Sequence, residues 1–120
     1  MTDLEMVKTI VKALDDKKAG KIRVLRIGDL TILANYFVIA EGTSTTQVKA
    51  MADEVDFRMG QQGVEPKSIS GVQGATWITL DYIDVVVHAF YKETREFYDL
   101  ERLWQDGKQI SLDGLLENHA

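Results

Sequence analysis

The chain has no cysteine, one proline and only two histidines among its 120 residues. Without cysteine there can be no disulfide bond, no thiol catalysis, no iron–sulfur cluster and no zinc site with cysteine ligands. The two histidines, His88 and His119, are too few to favour a histidine metal site. We therefore expect neither a metal ion nor a cofactor.

Long hydrophobic runs are also absent. No apolar stretch approaches the roughly 20 residues that cross a bilayer. The N-terminal sequence MTDLEMVKTIVK is acidic and amphipathic, which fits neither a signal peptide nor a transit peptide. With 45% hydrophobic and 28% charged residues, the composition predicts one folded domain that is cytoplasmic and has no membrane partner.

The net charge is −5, which argues against nucleic-acid binding, sequence-specific binding included. Most of this charge lies in the acidic C-terminal segment, residues 81–106, which holds seven acids and three bases. The segment also carries several aromatic side chains: Tyr82, Phe90, Tyr91, Phe97, Tyr98 and Trp104. Acidic and aromatic residues together are typical of a surface that binds a basic protein, although a solvated helix face over core aromatics has the same pattern.

Hydrophobic spacing predicts one helix from Thr2 up to Gly20, a second from Ser44 to Gly60 and a third from about Lys92. Strands are predicted near residues 22–27, 36–40 and 67–70, with a short helical turn at 30–33. The third helix carries four apolar residues at helical spacing: Phe97, Leu100, Leu103 and Trp104. This order predicts an α/β fold, a single domain over residues 1–106 with a mixed β-sheet and helices on one main face. Residues 107–120 are predicted to be a loosely ordered tail.

The stretch ATWITLDYIDVVVHAF predicts a β-hairpin with a two-residue turn at Tyr82 and Ile83. The expected cross-strand pairs are Leu80 with Val85, Ile78 with Val87 and Trp77 with His88. One face of this hairpin is entirely apolar and should pack on the helices: Ile78, Leu80, Val85, Val87 and Ala89. The other face is mixed and is expected to stay open as a binding surface: Trp77, Thr79, Val86, His88 and Phe90.

An enzyme is the alternative hypothesis. Gly42, Thr43 and Ser44 follow a strand and open a helix, as in an anion site at a helix N-terminus. Asp81 and Asp84 lie across the predicted turn from each other, near enough to share a metal ion. A nucleotidyltransferase would use the first group for phosphates and the second for metal. It would also need two acids on the next strand, and residues 67–70 contain none.

Three motifs in this order resemble the ribosomal silencing factor family, also called Iojap-like: GTSxxQVKAMADEV, DYxDVVVH and FYDLERLW. The resemblance covers about residues 29–106. It implies an α/β fold that is related to nucleotidyltransferases but lacks their active site, and therefore no enzyme activity. The family's hairpin turn usually reads Asp-Tyr-Gly-Asp, and Ile83 replaces the glycine here. Because β-branched residues disfavour positive φ, we expect a different turn type or a changed register.

The resemblance also implies a function, that of a translation repressor active when nutrients are short. Its implied partner is the large ribosomal subunit, bound through the fourteenth large-subunit protein on the surface that meets the small subunit. Joining of the small subunit is then blocked. A homodimer is implied as well. For the contact surface we predict Trp77 from the open sheet face, together with residues of the acidic segment: Tyr82, Asp84, Arg95, Tyr98, Asp99, Leu100 and Trp104.

Overall fold

The computed structural model describes residues 1–112. Its elements in chain order are α1 (Asp3–Asp16), β1 (Gly20–Arg26), β2 (Tyr36–Gly42), α2 (Thr45–Gln61), β3 (Ser68–Ser70), β4 (Trp77–Asp81), β5 (Val85–Tyr91), α3 (Lys92–Tyr98), α4 (Leu100–Leu103) and β6 (Lys108–Ile110). The strands form one six-stranded sheet in the order β3-β4-β5-β2-β1-β6. β2 and β5 run parallel, and all other neighbours run antiparallel. The predicted α/β domain with a mixed sheet is confirmed.

The two long helices, α1 and α2, cover one face of the sheet, which we call the helical face. Their buried stripes meet the apolar side of the β4–β5 hairpin in the main hydrophobic core. The face assignment of the hairpin residues and the prediction of helices on one main face are therefore confirmed. None of the helices within residues 1–112 is long and apolar enough to cross a membrane.

Both long helices begin with side-chain caps. At α1 the Thr2 hydroxyl accepts from the Glu5 N–H at 3.1 Å and the Glu5 carboxylate accepts from the Thr2 N–H at 2.8 Å, a complete capping box. At α2 the Ser44 hydroxyl accepts from the Gln47 N–H at 3.1 Å. The side-chain amide of Gln47 donates to the carbonyl oxygens of the two residues after α1, at 3.1 and 3.0 Å. These two bonds join the start of α2 to the end of α1.

Residues 30–33 do not form the predicted helical turn. The N–H of Leu30 donates to the carbonyl of Ile27 at 2.8 Å, which closes a single turn, and Ile32 and Leu33 are exposed. A four-residue segment without a packing partner does not gain enough to nucleate a helix.

The β4–β5 hairpin is shifted by two residues from the predicted register. Trp77 pairs with Phe90 rather than with His88, and Leu80 pairs with Val87. Because the shift is an even number of residues, every side chain keeps its predicted face.

The hairpin turn is centred on Ile83, which has a φ of 74°. The N–H of Asp84 donates to the carbonyl of Tyr82 at 2.9 Å, and the N–H of Tyr82 donates to the carbonyl of Val85 at 2.9 Å. The Asp81 carboxylate accepts from the Ile83 N–H at 2.7 Å. The bond from residue 84 to residue 82 around a positive φ is that of a γ-turn. Ile83 thus adopts a positive φ in spite of its β-branch, which was not expected from the sequence.

Strand β6 lies within the segment that was predicted to be a loose tail. Lys108 pairs with Arg26 and Ile110 with Val24, so Lys108–Ile110 forms an edge of the sheet. The tail prediction is wrong for these three residues, because β1 offers an unpaired edge that a short polar segment fills without any periodic signal of its own. Residues 113–120 of the predicted tail lie outside the described residues.

Candidate protein-docking surface

The sheet face opposite α1 and α2, which we call the aromatic face, carries a series of ring contacts. Trp77 on β4 contacts Tyr98 on α3, with ring centroids 5.1 Å apart. Phe37 on β2 lies 4.7 Å from the His88 ring and 5.4 Å from the Trp104 ring. Residues 98–104 therefore return across the sheet and contact two of its strands.

The prediction of an open sheet face is only partly right. Trp77 is half-buried, but Phe90 and His88 on the same face are buried. Leu100 and Trp104 pack against the smaller hydrophobic cluster that lies on this face. Alternation along a strand shows which side chains share a face, and it contains no information about which later segment will cover that face.

The segment reaches the sheet because the predicted third helix is broken. Between α3 and α4, Asp99 adopts the left-handed conformation, with φ 46° and ψ 53°. Aspartate tolerates this conformation better than most residues do. After the break Leu100 and Trp104 face the sheet, whereas Phe97 and Leu103 are 80% and 77% exposed. The prediction of one continuous helix with a single apolar stripe is therefore wrong.

Arg95 anchors α3 to the sheet. Its guanidinium donates to the Glu41 carboxylate at 3.1 Å, to the Glu101 carboxylate at 2.9 Å and to the carbonyl of Lys21 at 2.8 Å. Arg95 and Glu41 are both buried. Arg95 was predicted as a contact residue, but in this structure its charge is enclosed and fixes where α3 lies.

Tyr82 and Asp84, two further predicted contact residues, lie away from the aromatic face. The Tyr82 ring belongs to the core under the helices, on the opposite side of the sheet from Trp77. Burial raises the pKa of Tyr82, and the carboxylates of Asp56 and Glu65 raise it further. Asp84 is exposed in the hairpin turn, at the other end of β5 from the residue that pairs with Trp77.

The accessible residues around α3 and α4 form what we call the aromatic ridge: Trp77, Phe97, Tyr98 and Leu103. Phe97 and Tyr98 contact each other edge to face at 5.1 Å, and Tyr98 is 54% exposed. The exposed charges of the same segment are four acids and two bases: Glu93, Glu96, Asp99, Asp106, Lys92 and Arg102. Large apolar side chains exposed among charges of mainly one sign are typical of a protein-binding surface.

Two neighbours approach Trp77 closely, one at its side chain and one at its backbone. Its indole Nε1 donates to Nδ1 of His88 at 3.1 Å. Burial lowers the pKa of His88 to about 4, so the imidazole is neutral at pH 7. Gly71, with a φ of 80°, passes so close to the Trp77 backbone that an added Cβ would overlap the carbonyl oxygen.

The structure brings together five of the eight predicted contact residues: Trp77, Tyr98, Asp99, Leu100 and Trp104. Sequence reasoning missed Phe97 and Leu103 as exposed residues, because it placed them on the buried stripe of an unbroken helix. Asp99 was the only local signal for the break. The hydrogen bond between Trp77 and His88 was not predicted either, although alternation had placed both residues on the same face.

The geometry does not favour the enzyme alternative. Gly42 pairs with Tyr91 at one end of the parallel pair β2–β5, whereas Asp84 bonds through its carbonyl to Tyr36 at the other end. The two ends are six residue steps apart along β2, which is about 20 Å at the usual rise per residue. Among residues 1–112 no three His, Cys, Asp or Glu side chains are grouped closely enough to hold a metal ion.

Comparison with known proteins shows similarity to one family. The family model described as "Ribosomal silencing factor during starvation" matches residues 1–120. The ribosomal silencing factor RsfS of Halalkalibacterium halodurans is 38% identical over 116 residues, which are 97% of this chain and 99% of that protein.

Two crystal structures have the same fold. A protein from Chromobacterium violaceum is 35% identical and superimposes with a TM-score of 0.86, over 92% of each chain. A protein from Bacillus halodurans is 37% identical and superimposes with a TM-score of 0.81, over 90% of this chain and 98% of the other. The chain thus belongs to the ribosomal silencing factor family, and its function lies in the regulation of translation.

Proposed function

We propose that this protein represses translation by binding the large ribosomal subunit through its fourteenth protein, which sterically prevents the small subunit from joining. The repression acts in the cytoplasm when nutrients are limited. The observation that carries the proposal is the aromatic ridge, where Phe97 and Leu103 are 80% and 77% exposed beside Tyr98 and Trp77. The match to a family described as silencing ribosomes during starvation supports the same role.

The charge around the ridge supports a basic partner. Ribosomal proteins are generally basic, and within residues 92–106 the exposed acids outnumber the exposed bases, four to two. Opposite charges speed the encounter and orient it, while apolar and aromatic residues at the centre of an interface supply most of its affinity. The ridge combines both features on one short stretch of chain.

The size of the molecule supports a steric mechanism. The molecule measures 32 × 31 × 28 Å along its principal axes and has an accessible surface of 6859 Å². A standard interface would cover about 800 Å² of it, roughly an eighth, so most of the protein would still project from the subunit. An obstacle of that thickness on the intersubunit surface is enough to keep two subunits apart.

Co-sedimentation with purified large subunits tests the proposal, with two matched variants. Phe97→Ala removes an exposed ring from the ridge, and Phe57→Ala removes an exposed ring from α2 on the helical face. We expect Phe97→Ala to weaken binding about tenfold or more and Phe57→Ala to leave it unchanged. Equal binding by both variants would place the contact surface elsewhere.

A joining assay tests the mechanism separately. Large subunits saturated with the protein should fail to form complete ribosomes when small subunits are added, and Phe97→Ala at the same concentration should restore joining. Binding to the isolated fourteenth protein, weakened by the same variant, identifies the contact. Binding to large subunits without any effect on joining would reject the steric mechanism but not the docking surface.

We further propose that the protein forms a homodimer, as the family resemblance implies. An exposed apolar ridge is also suited to a second copy of the chain, since such side chains lose contact with water in either complex. Sedimentation equilibrium of the wild type and of Phe97→Ala tests this point. A dimer that survives the substitution uses another surface and leaves the ridge free for the ribosome.

A further inference from the structure

His88 carries a hydrogen-bonding group that the fold leaves unused. Its Nδ1 accepts from the indole Nε1 of Trp77 at 3.1 Å, so the proton of the neutral imidazole lies on Nε2. Nε2 is buried and has no hydrogen-bond partner within residues 1–112. A buried donor without a partner lowers the stability of the native state.

Packing does not explain a histidine at this position. The ring is 7% exposed and lies between Phe37 and Phe90, with centroid distances of 4.7 and 6.2 Å. An aliphatic side chain would fill the space without an unpaired donor. The Trp77 residue that donates this bond is half-buried, not enclosed in the core.

We propose that His88 is a positioning residue that fixes the orientation of the Trp77 indole for binding to the partner. The proposal rests on the proposed function of the aromatic ridge. Trp77 stacks on Phe90 with ring centroids 4.7 Å apart and 30° between the ring planes, and a flipped indole would also place a ring against Phe90. The bond to Nδ1 selects one of the two flips and so determines which edge of the indole the partner meets. An indole held in its bound orientation loses less conformational entropy on binding.

Two substitutions of similar size separate positioning from packing. His88→Leu removes both the acceptor and the unpaired donor, whereas His88→Asn places an amide oxygen near the position of Nδ1. We expect His88→Leu to resist urea at least as well as the wild type but to bind large subunits about fivefold to tenfold more weakly, the effect of one lost hydrogen bond. His88→Asn should be the less stable variant and the tighter binder of the two. Affinity that follows stability in both variants would overturn the proposal.

The free protein supplies a second readout. In a ¹⁵N–¹H spectrum of the wild type, the indole N–H signal of Trp77 should lie away from the position of a solvent-exposed indole. Its proton should also exchange slowly with solvent. His88→Leu should remove both effects, because the acceptor is gone. An unchanged indole signal would show that the bond does not orient the ring, and the proposal would be wrong.

A double substitution links the two readouts. Trp77→Phe keeps a ring but removes the donor, so adding His88→Leu to it should not weaken binding further. If Trp77→Ala binds as tightly as the wild type, the docking surface itself is wrong and the positioning role is rejected with it. If Trp77→Ala weakens binding and His88→Leu does not, only the positioning role is rejected.

Discussion

At the scale of single residues, Ile83 is held in a backbone conformation that its side chain disfavours. Its φ is 74°, and the side chain is 62% exposed, so little packing compensates for the strain. We expect Ile83→Gly to raise the free energy of unfolding by about 1 kcal/mol, because glycine adopts positive φ without a Cβ clash. Urea denaturation of the two proteins measures the difference.

The control for this prediction is Ile83→Ala. Alanine removes the β-branch and most of the side chain but keeps the Cβ that clashes at positive φ. We therefore expect it to recover much less of the strain than glycine does. Equal stabilisation by both variants would mean that the side chain, rather than the backbone, is the source of the strain.

The burial of His88 predicts a loss of stability in acid. Its pKa is about 4 in the native state and 6.5 in the unfolded chain, so between these values the unfolded chain binds a proton that the native state does not. Stability should therefore fall as the pH drops from about 6.5 to about 4, by about 3 kcal/mol in total from this group. Urea denaturation at a series of pH values measures the slope.

His88→Leu isolates this contribution, because all other titrating groups remain. The variant should lose less stability than the wild type between pH 6.5 and pH 4. Parallel pH profiles of the two proteins would contradict the burial of a neutral imidazole.

At the scale of elements, the position of α3 depends on the ion pair between Arg95 and Glu41. Arg95→Met removes the cation and leaves the buried Glu41 carboxylate without its partner. We expect a loss of about 3–5 kcal/mol in the free energy of unfolding, the usual effect of an unpaired buried charge. Chemical denaturation measures it.

Two further variants test the cause. Glu101→Gln alters the more exposed partner of Arg95 and should lower stability by about 1 kcal/mol or less. Adding Glu41→Gln to Arg95→Met should recover part of the loss, because no buried charge then remains. Equal losses from Arg95→Met and Glu101→Gln would show that the buried pair has no special weight.

At the scale of the whole molecule, the acidic charge near the ridge should control the rate of association. Glu96→Lys with Asp106→Lys reverses two exposed charges there and leaves Asp99, which breaks the helix, in place. We expect association with large subunits to slow about tenfold at low salt, with little change in dissociation. The difference should shrink toward physiological ionic strength, where the screening length is about 8 Å. Stopped-flow kinetics at several salt concentrations measure both rates.

The matched control is Asp15→Lys with Asp53→Lys, which reverses two exposed acids on α1 and α2, the helices of the helical face. It changes the net charge by the same amount. This variant should associate almost as fast as the wild type. Equal slowing by both pairs would mean that only total charge matters. No slowing by either pair would mean that the acids near the ridge are an ordinary solvated surface.

Local patterns determined much of the fold in advance. The spacing of Val7, Val11 and Leu14 predicted α1, and Thr2 with Glu5 predicted its cap. Alternation in the β4–β5 hairpin assigned each side chain to its correct face, even though the register was wrong by two residues. These features depend on neighbours within one or two turns of chain, so the sequence contains them directly.

The candidate site depended more on contacts that no local pattern contains. Arg95 and Glu41 are 54 residues apart in the sequence, and their ion pair converts a predicted surface residue into a buried anchor. The left-handed Asp99 turns Leu100 and Trp104 onto a face that alternation alone had left open. Which residues remain exposed on the ridge follows from that cover.

The sequence by itself determined the α/β class, the family and the two faces of the sheet, because periodicity, capping and motif spacing are properties of neighbouring residues. Only the tertiary structure decided that the ridge consists of Trp77, Phe97, Tyr98 and Leu103, and that Tyr82 and Arg95 are buried. The physical reason is that burial depends on which distant segment packs over a side chain. Which segment packs there depends on the free energy of the whole folded core, not on the residues near that side chain in the sequence.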